Sequence, residues 1–120
     1  MKKKNAKKKP KNMPWKPPAV AIVSGATFDN QAALERILCD SQGRNIRTVE
    51  EFPMLAQLQD GCQSRGIGLK VFRKSEKFSA FENLLYFGHP SIVIALGNRA
   101  EMGHYIRRSA EKGVIVTTIS

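Results

Sequence analysis

Eight lysines and no acid occur among the first eighteen residues: Lys2, Lys3, Lys4, Lys7, Lys8, Lys9, Lys11 and Lys16. Ammonium groups at that density can neutralise a row of phosphates, contacts that give affinity with little sequence preference. Two polar turns offer a second kind of anion chemistry. Ser24-Gly25-Ala26-Thr27 and Gly97-Asn98-Arg99 each follow an apolar run. Backbone amides in such turns, helped by a following helix N-terminus, can cradle a phosphate, and Arg99 adds a planar fork suited to it. Glycines and cap residues also serve strand-to-helix turns on conformational grounds alone. Neither turn has the GxGxxG or GxxxxGKS/T spacing of a phosphate loop.

Candidates for catalysis are fewer. A general base needs an orienting partner, and neither His89, ahead of Pro90, nor His104, three residues before Arg107, shows one. They read as a turn residue and a half-buried helix residue. Glu101 and Glu111 stand ten positions apart on one helix, about 15 Å, too far for a glycosidase carboxylate pair. Glu50-Glu51 read as first-turn acids of a helix beginning near Pro53. Cys39 and Cys62 lack CxxC or metal spacing and the basic neighbours of a reactive thiolate, and read as reduced thiols. The chain is therefore read as non-enzymatic, with no catalytic residue, metal or cofactor.

The elements that would position these turns alternate between two periods. Ala19–Val23 is a continuous apolar run, the pattern of a strand buried on both faces. A helix follows, with Ala33, Leu34, Ile37 and Leu38 on one face, Asp29 or Asn30 as N-cap, and Gly43 closing it. Ile46–Val49 is a short strand. Met54, Leu55, Leu58 and Cys62 recur at helical spacing up to Gly66, and Leu69–Phe72 is the next strand. Phe78 to Phe87 reads as a helix with Phe81, Leu84, Leu85 and Phe87 inward. Ser91–Leu96 is the strongest strand, Glu101–Lys112 an amphipathic helix stopped by Gly113, and Val114–Ile119 a last strand. Strands and helices in alternation, with β-branched runs that barely alternate, predict an α/β fold. The expected architecture is a three-layer, doubly wound, mostly parallel sheet of about five strands.

Of the formal charge of +10, residues 19–120 contribute only +2, from 12 basic and 10 acidic side chains. This divides the chain into a Lys/Pro-rich arm, 1–18, and a Rossmann-like α/β domain, 19–120. Pro10, Pro14, Pro17 and Pro18 oppose a regular helix, so composition predicts a disordered arm. Trp15 either staples the arm to the body or stacks on a base. Arg44, Arg47, Arg65, Lys70, Arg73, Lys74, Lys77, Arg107 and Arg108 read as ordinary surface charge. The longest apolar run, Ala19–Val23, is far short of a membrane span and too short for a signal peptide. An arm with lysine but no arginine does not match a mitochondrial presequence, so a cytoplasmic location is expected.

The order of elements, the Ser24-Gly25-x-Thr27-Phe28 turn, Gly66-Ile67 before the third strand, Asn83 in its helix and the Gly97…His104…Ala110…Gly113-Val114 run together resemble the SLOG superfamily. This Rossmann-like group includes DprA/Smf, the LOG proteins and the small YspA-like domains. The likeness spans roughly residues 19–120 and implies Ser24, Gly25, Thr27, Asn83, Gly97 and Asn98 as nucleotide-site positions. The chain departs from the family pattern at three places. Val49-Glu50-Glu51 stands where members carry Gly-Gly, Glu82-Asn83 where they carry Arg-Asn, and Gly97-Asn98-Arg99-Ala100-Glu101 where they carry a glycine-rich turn with Gly-Thr. The resemblance thus implies a degenerate member, and it is compatible with a homodimer.

The leading expectation is a non-enzymatic nucleic-acid-binding protein, RNA or DNA, whose basic arm contacts phosphates while the body positions it. A nucleotide- or nucleotide-derivative-sensing domain using the Ser24 and Gly97 turns is the alternative. A phage or mobile-element regulator whose arm binds an acidic protein partner is another.

Overall fold

The computed structural model describes residues 18–119. Ala19–Ser24 forms β1, buried at every position after Ala19, as a run of small and β-branched side chains at the centre of a covered sheet should be. The remaining elements follow in strict alternation: α1 Gln31–Asp40, β2 Asn45–Val49, α2 Leu55–Arg65, β3 Gly68–Phe72, α3 Ala80–Gly88, β4 Ile92–Leu96, α4 Arg99–Glu111 and β5 Ile115–Ile119. All five strands run parallel in the order β3-β2-β1-β4-β5. This is the three-layer, doubly wound α/β architecture that the alternation predicts. Strand order reverses between β1 and β4, which makes their carboxyl ends the switch point where such sheets hold ligands.

The core is apolar and continuous. Ile22, Leu34, Leu38, Ile46, Leu58, Leu84, Leu96 and Met102 are among its largest fully buried side chains. Truncating any of these to alanine would cost about 2–5 kcal/mol through lost transfer energy and the cavity left behind. One polar group sits at the sheet centre by design of the ladder. The β1–β2 register ends at Ala21↔Arg47, and beyond it the buried Thr48 Oγ1 donates to the Ile22 carbonyl at 2.8 Å. The strands separate there without leaving a buried acceptor bare.

Several boundaries differ from expectation, each for a local reason. α1 ends at Asp40, capped by Ser41, whose hydroxyl donates to the Ile37 carbonyl at 2.7 Å; Gly43 lies beyond it. Asn30 rather than Asp29 is the N-cap, accepting from Ala33 N at 3.1 Å. α2 begins only at Leu55, without a side-chain cap, because Phe52 and Met54 turn inward around an exposed Pro53. Glu50 and Glu51 are consequently not first-turn acids. Glu50 instead reaches the loop after β3, accepting from Lys74 N at 2.8 Å.

In α3 the inward stripe is Ala80, Phe81, Leu84, Leu85 and Gly88. Phe87 is 63% exposed, which corrects its inward assignment. At 100° per residue it falls well to one side of that stripe. The inward position in that turn belongs to Gly88, pressed on the Phe72 ring. Among the described residues, no helix is long and apolar enough to cross a membrane.

Candidate functional site

The two turns with anion chemistry meet at the switch point. Ser24 and Leu96 are register partners, so Gly25 and Gly97 emerge side by side. Gly97 has φ 126°, a backbone conformation that favours glycine. The amides one would assign to a phosphate are already committed. Gly25 N donates to the Leu96 carbonyl at 3.1 Å, and Gly97 N to the Ile119 carbonyl at 2.8 Å. Ser24 is buried, and its hydroxyl donates to the Gly25 carbonyl at 3.0 Å.

The space above Gly25 is filled by this chain's own carboxylate. Asn98 caps α4, its Oδ1 accepting from Glu101 N at 3.0 Å, while its Nδ2 donates to Glu101 Oε1 at 3.2 Å. The two residues are thus joined twice, by a side-chain cap and by a side-chain to side-chain bond, and an acid in the first turn suits the helix dipole. The cap lays the Glu101 carboxylate against Gly25, where an added methyl would lie 2.7 Å from its Cδ. The anion at this helix N-terminus is thus internal. Arg99 and Thr27 are exposed beside it, and Arg99 forms no ion pair among the described residues.

Of the residues the resemblance implicates, Gly25, Gly97 and Asn98 converge with Ser24 beneath them. Asn83 does not join them. It is buried in α3, and its Nδ2 donates to the Arg73 carbonyl at 2.9 Å, tying down the loop after β3. Glu101 is the residue that sequence reasoning missed at this site. The three-residue spacing from Asn98 was its signal.

A second arrangement joins α3 to α4. Arg108 forks onto both oxygens of Glu82, at 2.6 and 2.7 Å, and also pairs with Glu111. That bidentate contact holds the Glu82 carboxyl below its ordinary range and the guanidinium above its own. Phe81 meets Tyr105 edge-on at 4.8 Å between centroids, and burial raises the Tyr105 phenol. His104 is exposed rather than half-buried. Arg65, held by Glu35 at 2.7 Å, lies near Cys62, whose thiol is pushed up by burial more than the positive charge pulls it down. Both cysteines are free.

The eight candidate lysines and Trp15 lie outside the described residues, but the root of their segment is defined. The Pro18 carbonyl accepts from Asn45 N at 3.3 Å, and the Ala19 carbonyl from Ser91 N at 2.8 Å. That root is at the amino ends of the strands. The Gly25/Gly97 crevice is at the carboxyl ends, roughly 20 Å away along β1. Next to the root, His89 caps α3 in the left-handed region with φ 45°. His89 and Pro90 share a hollow with Tyr86, Phe87 and Lys112.

No protein-family model, curated protein or solved structure matches this chain.

Proposed function

We propose that this chain binds nucleic acid without catalysing a reaction on it, the lysines of residues 2–16 clamping phosphates while the α/β body sets where they act. The observation that carries this reading is the segregation of charge. Eight lysines and no acid stand ahead of a body whose own balance is +2. Solubility alone does not call for such a run, whereas a polyanion does. The competing reading, a nucleotide sensor at the switch point, is disfavoured by the committed Gly25 and Gly97 amides and by the carboxylate seated on Gly25.

Binding of fluorescent single-stranded DNA, duplex DNA and structured RNA, measured across salt concentrations, tests the proposal. With eight phosphates engaged on duplex DNA, the log–log salt slope should be about −7. A full-length variant with all eight lysines replaced by glutamine should flatten it. Failure of the native chain to bind any of the three at low salt would sink the reading.

A further inference from the structure

Four large apolar side chains are strongly exposed among the described residues: Phe78 at 55%, Tyr86 and Phe87 at 63%, and Ile115 at 69%. Three of the four belong to α3 or the turn that leads into it. Glu82 and Tyr86 stand four residues apart on α3 and share a face, and Phe78, ahead of the N-cap Ser79, lines the same hollow. Arg108 and Lys112, also four apart, match it from α4. Arg108 grips Glu82, and the Lys112 ammonium lies 5.9 Å from the Tyr86 ring centroid. Phe87 stands perpendicular to Tyr86, with centroids 4.9 Å apart.

Exposed rings rimmed by polar groups mark a binding surface, and the charge around these rings says for what. Arg108 meets Glu82 and Glu111, which leaves one negative charge there, and Lys112, on the Tyr86 ring, offsets it. Lys74 and Lys77 in the loop before α3 and Arg107 on α4 form no ion pair among the described residues and outnumber Glu76. The excess left over is positive. The patch also adjoins the root of the lysine segment, because Ser91 N bonds the Ala19 carbonyl two residues after His89. A duplex hides its base faces within its own stack and offers such rings only backbone. Unpaired bases offer a π-face that aromatic side chains bind irrespective of sequence, while nearby cations hold the phosphates.

We infer that the α3–α4 seam, with Tyr86 and Phe87 beside Lys112, is a stacking platform for the bases of single-stranded nucleic acid. The inference rests on the proposed nucleic-acid reading and narrows it to unpaired strands and a named surface.

The test compares three fluorescent probes of equal phosphate number, in moderate salt, on the full-length protein. These are an oligothymidine strand, the same strand with abasic sugars throughout, and a blunt duplex. The native chain should prefer the base-bearing strand to the abasic one by about 5- to 150-fold per stacked base. The double variant Tyr86→Ala/Phe87→Ala should lose that preference and keep its abasic affinity, while Tyr86→Phe, which keeps the ring, should retain it. Both altered positions are solvent-exposed, and an unchanged thermal midpoint would verify folding. Equal affinity of the native chain for base-bearing and abasic strands overturns the platform and leaves these rings to a protein partner. A native preference that survives in the double variant also overturns it, since the bases must then stack elsewhere. Loss of all binding in the eight-glutamine variant, with the double variant unaffected, would reject the platform but not the function. Absence of binding by the native chain would reject both.

Discussion

The carboxylate on Gly25 gives the switch-point crevice a measurable signature. A phosphate entering there must displace Glu101 and break the Asn98 Nδ2–Glu101 Oε1 bond of 3.2 Å, a net loss of about 0.5–1.5 kcal/mol. If the acid stayed nearby, two unit charges about 4 Å apart would repel by about 1 kcal/mol in water-like surroundings and about 4 kcal/mol near a protein surface. Glu101 is exposed, so the lower figure applies. The two terms together weaken anion binding by roughly one order of magnitude or more. Glu101→Gln removes the repulsion, keeps an oxygen for Asn98 and gives up the favourable charge at the α4 N-terminus, about 0.3–1 kcal/mol. For a domain of this size the midpoint of thermal unfolding should fall by roughly 1–8 °C. Thermal unfolding of the native and variant chains, with and without about 10 mM ATP, reads both effects. The native midpoint should not rise with nucleotide. A ligand present at 100 times its Kd would add about 2.7 kcal/mol, a rise of 10 °C or more. Such a rise in the native chain, abolished by Glu101→Gln, would refute the view that this acid closes the crevice.

Three further outcomes follow from named contacts. Asn83→Ala should lower stability by about 1–2 kcal/mol, because the Arg73 carbonyl loses its donor; the urea midpoint reports it, and an unchanged midpoint would return Asn83 to the list of ligand-binding residues. Glu82 is held by Arg108, so its folded-state pKa lies below its unfolded one. Its contribution is therefore present above the ordinary carboxylate range and lost as pH falls through the folded value. Urea midpoints of the native chain and of Glu82→Gln should accordingly differ near neutrality and converge in acid. Finally, His89→Gly should raise stability by about 0.5–1 kcal/mol, since a non-glycine residue at φ 45° bears a left-handed strain that exceeds the entropy glycine costs; a lower thermal midpoint would show that the imidazole makes a compensating contact.

How far such details could be read from the chain depends on the range of the interaction involved. Parallel strands under two layers of helix follow from Ala19–Val23 directly, because a run buried on both faces needs a covered sheet; Ser91–Leu96 reads the same way, yet Ile92 and Ile94 of β4 are only half-buried. The order β3-β2-β1-β4-β5 does not follow from them, since register and adjacency are fixed by contacts between distant segments. Helix starts slipped where a cap lay just outside the apolar stripe: Ser79 and Asn98 begin α3 and α4, yet neither belongs to the hydrophobic period. Phe87 was misplaced because hydrophobicity alone cannot rank two neighbours when the inward position is a glycine. At the site, glycine and polar turns were visible, but what fills them was not. Asn98 and Glu101 form a cap of a kind open to any helix; it becomes a plug only because β1 and β4 are adjacent, which brings Gly25 beneath it.

That adjacency bears on function through the two ends of β1. A doubly wound sheet ordinarily concentrates its ligand chemistry at the carboxyl ends of the strands, and here that end carries bonded amides and an internal carboxylate. The amino end carries the root of the lysine segment, a left-handed His89, two exposed rings and Lys112, which forms no ion pair among the described residues. Exposed rings contribute nothing to the core. A left-handed histidine costs stability where glycine would not. Features that do not serve the fold, at the amino end of the sheet, are what the proposed nucleic-acid surface would leave there. If so, substitutions at Gly25 or Gly97 should act on stability alone, and the residues that decide binding should lie in α3, the end of α4 and residues 2–16.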